Sequence, residues 1–303
     1  RFVYIVKGMD AGWRCNYQYR GNDYDPWMAE GLWRPWHAGQ PSYIVPPISH
    51  SIDGPAGFAF NPGTALNDAY KDYFFLTGAP NGNQIAFQIE SNRASFRMVN
   101  EHQIGSGLPI VGINFGPDGG LYGVDWGGGY PLNQKGAVWK IDDPAASRSA
   151  VREEVKTLLA NGFEQLDTKA LLSLLGHDDQ RIRLGAQFAL VDRDVMAEFK
   201  NVMSDQQQPI LARVHAIWGL GQLARKGNAQ AVKGLWSIVY SDDEPELMAQ
   251  ALRCLGDVPD VEGVGFTVFL GHSNPRVRFM AALGLGDHPT RATYKLVRFF
   301  VGR

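Results

Sequence analysis

The sequence predicts a β-then-α protein: a partial β-propeller, its last two to three blades, over residues 1–145, followed by an α-solenoid of HEAT-type repeats over 146–303. Three observations predict it. The first is a shift of composition near residue 145. Of 35 glycines, 21 precede it, and Pro divides 12 to 5, Trp 6 to 2 and Tyr 9 to 2. The second is a four-strand meander that restarts once in the first half. The third is an internal helical repeat in the second half. A length of 303 residues agrees with about two domains.

In the first half, the apolar runs at 57–61 and 73–76 read as strands. They are followed by an alternating strand at 83–90 and another at 94–99. The pattern restarts with 110–115, the tight turn Gly116-Pro117-Asp118-Gly119-Gly120, then 121–124 and 137–141. That accounts for one complete blade and one lacking its fourth strand, with a partial blade expected around 1–19. Propeller closure takes roughly four or more blades, so upstream blades are expected to be missing; the alternative is a small open β-sandwich.

After Asp142-Asp143-Pro144 the apolar spacing changes to three and four. Ala186, Ala216, Ala251 and Ala281 are each followed four residues later by Leu190, Leu220, Leu255 and Leu285, which puts both on one helical face. Spacings of about 30 to 35 residues suit a helix-hairpin repeat in which the Ala admits a close neighbouring helix and the Leu fills the stacked core. Asp179 and Asn274 stand where N-caps of the next helices belong.

Charge and cysteine content demote several classes. Twenty-nine Lys and Arg against 31 Asp and Glu leave a formal charge of -2, too little for a nucleic-acid binder driven by net charge. No apolar run reaches the 18 residues of a membrane span. Cys15 and Cys254 stand far apart, without a C-x-x-C-H haem motif or zinc spacing, and no metal-ligand set is read. The start at Arg1 reads as cut, and the amphipathic segment 294–301 has no following partner, so a fragment of a longer protein is expected.

The loops leading into first strands and leaving second strands share one end of an antiparallel meander. Chemistry is expected there. His50 and Asp53 can supply a general base and its orienting carboxylate, or Asp53 caps the Gly54-Pro55 turn and His50 is a loop residue. Asn83 follows a second strand, while Asp125 and Trp126 can place a carboxylate and a ring beside a sugar or flat cofactor; Trp126 can equally pack between sheets. Trp27, Trp33, Trp36, His37 and Tyr43 can line a carbohydrate groove or pin a loop. Arg181, Arg183, Arg276 and Arg278 recur in register and form either a basic ridge for a protein partner or pairs with carboxylates of the Asp179 kind.

The segments 40–48, 53–58, 70–76 and 116–126 resemble the glucose/sorbosone dehydrogenase-like propeller family. With 176–183 and 212–223, the whole chain is similar to multidomain bacterial members in planctomycetes and verrucomicrobia that add HEAT repeats and a c-type cytochrome domain. The resemblance implies oxidation of a sugar or alcohol by pyrroloquinoline quinone (PQQ), often near Ca2+. Electrons would pass to a cytochrome in a periplasmic or secreted setting, with haem only in that further domain. It places the family's catalytic histidine in a blade this chain does not contain, and residues 76–92 hold no Lys or Arg to clamp quinone carboxylates. The alternative expectation is a non-catalytic protein binding a polysaccharide or a protein partner.

Overall fold

The computed structural model describes residues 2–9, 37, 47–52, 54–79, 81–127, 134–242, 244–291 and 293–295. Strands β1 (Pro55–Phe60), β2 (Phe74–Gly78), β3 (Asn83–Asn92) and β4 (Ser95–Gly105) form one antiparallel meander. A second, three-stranded meander joins β5 (Ile110–Phe115), β6 (Leu121–Asp125) and β7 (Ala137–Ile141). The run Phe74-Phe75-Leu76 is continuously apolar because β2 is covered on both faces, and the buried Thr77 hydroxyl that follows accepts from the Gly57 N–H at 2.8 Å. Phe75 packs with Phe115, Leu121 and Ala59 towards the second sheet, and Leu76 packs with Ile85, Phe87, Phe2 and Ile52 on the other side. Close approach of the sheets needs Gly57, where a Cβ would lie 2.8 Å from the Ile113 amide nitrogen.

Nine α-helices follow among the described residues: α1 (Ala150–Asn161), α2 (Thr168–Leu174), α3 (Gln180–Asp192), α4 (Met196–Ser204), α5 (Ile210–Arg225), α6 (Ala229–Ser241), α7 (Pro245–Gly256), α8 (Val264–Thr267) and α9 (Pro275–Asp287). Helix starts are capped by side chains. Asp167, Asp179, Asn228, Glu244 and Asn274 each accept a hydrogen bond from a first-turn N–H, and Pro245 and Pro275 open α7 and α9. Helices α3, α5, α7 and α9 lie side by side as one layer, and α2, α4, α6 and α8 pack behind them. The recurring Ala186, Ala216, Ala251 and Ala281 and their Leu partners are all buried in the shared core. Glycines 219 and 284 occupy the residue before that Leu, and the rings of Phe199 and Phe266 from the second layer fill the space a Cβ would take.

The expected partial propeller joined to a HEAT-type solenoid is therefore corrected. What forms is two small sheets of four and three strands, neither closed, followed by the helices; no barrel or propeller is present among the described residues. Alternating polarity and tight turns encode a meander wherever one occurs, whereas closure depends on what the sheet ends and faces meet. Here the second sheet spends one face on the first, and one end of both sheets is tied to helices. Of the partial blade expected around 1–19, residues 2–9 make only an isolated bridge, Phe2 to Ser49, and positions 1 and 10–19 lie outside the described residues.

That tie is polar and buried. Arg152 of α1, 2 % exposed, donates to the Asp118 carbonyl at 2.7 Å and the Leu66 carbonyl at 3.3 Å. Its fork holds Asp142 at 2.8 and 2.9 Å. Arg181 donates to the Gly116 carbonyl at 2.7 Å, and the fully buried Asp179 accepts from Thr64 at 2.5 Å. No helix among the described residues is long and apolar enough to cross a membrane.

Ala216→Leu tests the close helix packing. Overfilling this fully buried position is expected to cost about 1 to 3 kcal/mol in urea denaturation. Phe188→Leu, at a half-exposed position on α3, should change stability by less than about 0.5 kcal/mol. Equal midpoints for the two variants would contradict this packing account.

Candidate functional site

The residues expected to carry chemistry are held by local structure. Asn83 opens β3 opposite Gly78, and its N–H donates to the Asn81 side chain at 3.1 Å. Asp125 ends β6 opposite Ile110 and Ala137. One carboxylate oxygen accepts from the Gly127 N–H at 2.6 Å and the other from the Trp139 indole at 3.3 Å. These sites lie at the end of the sheets remote from the helices, with Trp126 half-buried beside Asp125. His50 is exposed beside the Phe2–Ser49 bridge. Asp53, Trp27, Trp33, Trp36, Tyr43 and Cys15 lie outside the described residues, and His37 is described alone.

The recurring arginines do not form a ridge. Arg181 pairs with Asp179 at 2.8 Å and Arg276 with Glu246 at 2.5 Å. Arg183 and Arg278 turn back onto the preceding loop in the same way, each donating to two carbonyls, of His177 and Asp178 or of His272 and Ser273. Burial works against ionisation of Asp179, but the hydrogen bonds from Arg181 and Thr64 overcome it and hold the carboxyl below its ordinary range.

A different set of side chains converges on the face of the α3–α5–α7–α9 layer that faces away from α2, α4, α6 and α8, where among the described residues only the segment around residues 4–7 lies. His215, Trp218, Gln222 and Arg225 recur every three or four residues along α5. Gln187 stands on α3, and Arg253 on α7 and Asp257 just beyond it complete the group. Gln187, Trp218, Gln222, Arg225, Arg253 and Asp257 line an open groove of about 270 Å³. A buried hydrogen-bonded chain leads to two of its lining residues, Gln187 and Gln222. The Arg183 guanidinium donates to His215 Nε2 at 3.1 Å, His215 Nδ1 stands 2.8 Å from Gln187 Oε1, and Gln187 donates to Gln222 at 2.9 Å. Arg183 therefore requires the His215 tautomer with its proton on Nδ1. Burial, and then the Arg183 charge, push the His215 pKa down to about 4.

Trp218 is fixed in the same network. Its indole N–H donates to Gln250 at 2.9 Å and its ring meets His215 edge-on; Gln250 donates to Glu246, which holds Arg276. Cys254 sits beneath the groove, and burial pushes its thiol up to about 12, so it is inert at neutral pH.

The neighbouring stretch of this face is already covered by an extended piece of chain. Phe2 packs on Phe58, Phe74 and Phe87 of the first sheet, Tyr4 on Phe96 and Phe279, and Lys7 pairs with Asp287 at 2.9 Å and Asp257 at 3.7 Å. A cavity of about 190 Å³ beside this strap shares Arg253 and Asp257 with the open groove. The two are neighbours on the face.

Sequence reasoning passed over this site. The signal was available in α5, where four polar or amphipathic side chains at 215, 218, 222 and 225 make a stripe on a helix otherwise rich in Ala, Ile, Leu and Gly. Comparison of the chain with protein-family models finds no match, and comparison with curated proteins finds none either.

Proposed function

We propose that this chain is a non-catalytic binding protein that docks a protein partner on the part of its helical stack that the described residues leave uncovered. The carrying observation is the groove of about 270 Å³ lined by Gln187, Trp218, Gln222, Arg225, Arg253 and Asp257. Its aromatic ring and amides are held by neighbours before any partner arrives, which lowers the ordering cost of binding. The sugar- or alcohol-oxidising activity that the family resemblance implies has less to support it. Asp125 is committed to a turn amide and an indole, and Asn83 serves a strand start.

Selection of a displayed library of random twelve-residue peptides against the full chain tests the reading, followed by hydroxyl-radical footprinting of the enriched peptides. Binding is expected with protection of Trp218 and its neighbours, and Trp218→Ala should weaken it at least tenfold. Absence of enriched peptides, or protection confined to the sheets, overturns it.

A further inference from the structure

We infer that the partner seated in this groove is an extended peptide segment carrying a carboxylate side chain that pairs with Arg253; the inference rests on the binding function proposed above. The first ground is the strap. Residues 4–7 lie across α7 and α9, so this face accepts a chain that is neither helix nor sheet where it is already filled. The groove, which no described residue fills, begins at the same two residues, Arg253 and Asp257, and runs across α5 to α3. Neighbouring helix axes stand about 9 Å apart, so two steps across the layer span about 18 Å. At roughly 3.3 Å per extended residue, five or six residues cover it.

The second ground is charge. Under the strap two carboxylates, Asp257 and Asp287, outnumber Arg253, and the occupant answers with a base: Lys7 lies between Asp257 and Asp287. In the open stretch the balance reverses. Arg225 and Arg253 line it against Asp257 alone, and Asp257 is shared between Lys7 at 3.7 Å and Arg225 at 3.8 Å. Arg253 is exposed and has no ion-pair or hydrogen-bond partner among the described residues. A guanidinium there offers a fork to a carboxylate. Trp218 supplies a rigid apolar surface one helix away, and the Gln222 amide, whose oxygen is taken by Gln187, keeps an N–H2 group for a peptide carbonyl.

The test uses the same twelve-residue peptide library on the full chain and on Arg253→Glu and Arg253→Gln variants, each first shown to melt like the parent. The parent is expected to enrich Asp and Glu at one position. Arg253→Glu should bind those peptides about tenfold more weakly and re-select Lys or Arg at that position, and Arg253→Gln should fall between. Affinity for the acidic peptides should fall as salt is raised. Peptides that protect the groove without acidic enrichment, or that bind Arg253→Glu as well as the parent, overturn the inference while leaving the binding function standing. If no peptide protects the groove, both fall.

Discussion

Arg152→Ala is expected to destabilise the protein by about 3 to 5 kcal/mol, the range for removing one partner of a buried ion pair. Arg152 is the meeting point of three chain segments: Leu66 after β1, the Asp118 turn between β5 and β6, and Asp142 after β7. Without it, a largely buried carboxylate loses its fork and two carbonyls lose a donor in a place water reaches poorly. Lys140 also touches Asp142 at 3.0 Å and cannot make up the loss, because it is already shared with Asp118 at 2.8 Å. A melting point about 10 °C lower is expected, with new proteolytic cleavage between residues 142 and 150, where the sheets hand over to α1. Arg152→Lys keeps the charge without the fork and should recover only part of the loss. An Arg152→Ala melting point within about 1 °C of the parent would show that the junction is not held as described.

The second large effect is a loss of stability in mild acid traced to one histidine. His215 has a folded pKa of about 4 against an ordinary value of 6.5, because burial and Arg183 oppose its charge. The folded protein thus binds fewer protons than the unfolded chain between these values. The stabilising contribution is complete above about pH 6.5 and is lost as pH falls towards 4. A shift of this size corresponds to about 2 to 3 kcal/mol between pH 7.5 and 4.5. The chemical reason is geometric: a proton on Nε2 would face the Arg183 N–H that now donates to it.

The depressed carboxylates act in a lower window. Partial burial opposes the charge of Asp118, but hydrogen bonds from Lys140, Tyr122 and the Gly120 N–H hold it down at about 2. Asp142 and Asp179 are likewise held below 3.8 by Arg152 and by Arg181 against the cost of burial. Their contributions are lost only as pH drops below that value. Urea denaturation of the parent and of His215→Gln at pH 7.5 and 4.5 separates the effects. The parent should lose about 2 to 3 kcal/mol across the interval, and the variant should be less stable at pH 7.5 but much flatter. Parallel slopes would place the pH dependence elsewhere.

The sequence by itself determined the β-then-α order, the individual strands, the four helices that carry the Ala and Leu pairs, and the buried register of those helices. Those features are local. Period-two and period-3.6 patterns, turn residues such as Gly116-Pro117-Asp118-Gly119-Gly120, and caps such as Asp179 and Asn274 act over a few residues and can be read along the chain. The Ala and Leu at 186/190, 216/220, 251/255 and 281/285 are legible for the same reason, since one helix face must bury them whatever lies opposite.

Only the tertiary structure decided how the two sheets end and where the candidate site lies. An open sheet and a blade of a closed ring share the same strand pattern; what distinguishes them is the neighbour at each face and end, here the opposing sheet and the helices reached through Arg152 and Arg181. The role of Arg276 was likewise undecided along the chain, because its partner, Glu246, is 30 residues away. The groove combines Gln187, Trp218, Gln222 and Arg253 from three helices, and their convergence is created by helix stacking. The α5 stripe at 215, 218, 222 and 225 announced a polar face. Whether that face stays open or is covered, as Tyr4 and Lys7 cover its continuation, depends on contacts between segments more than 200 residues apart.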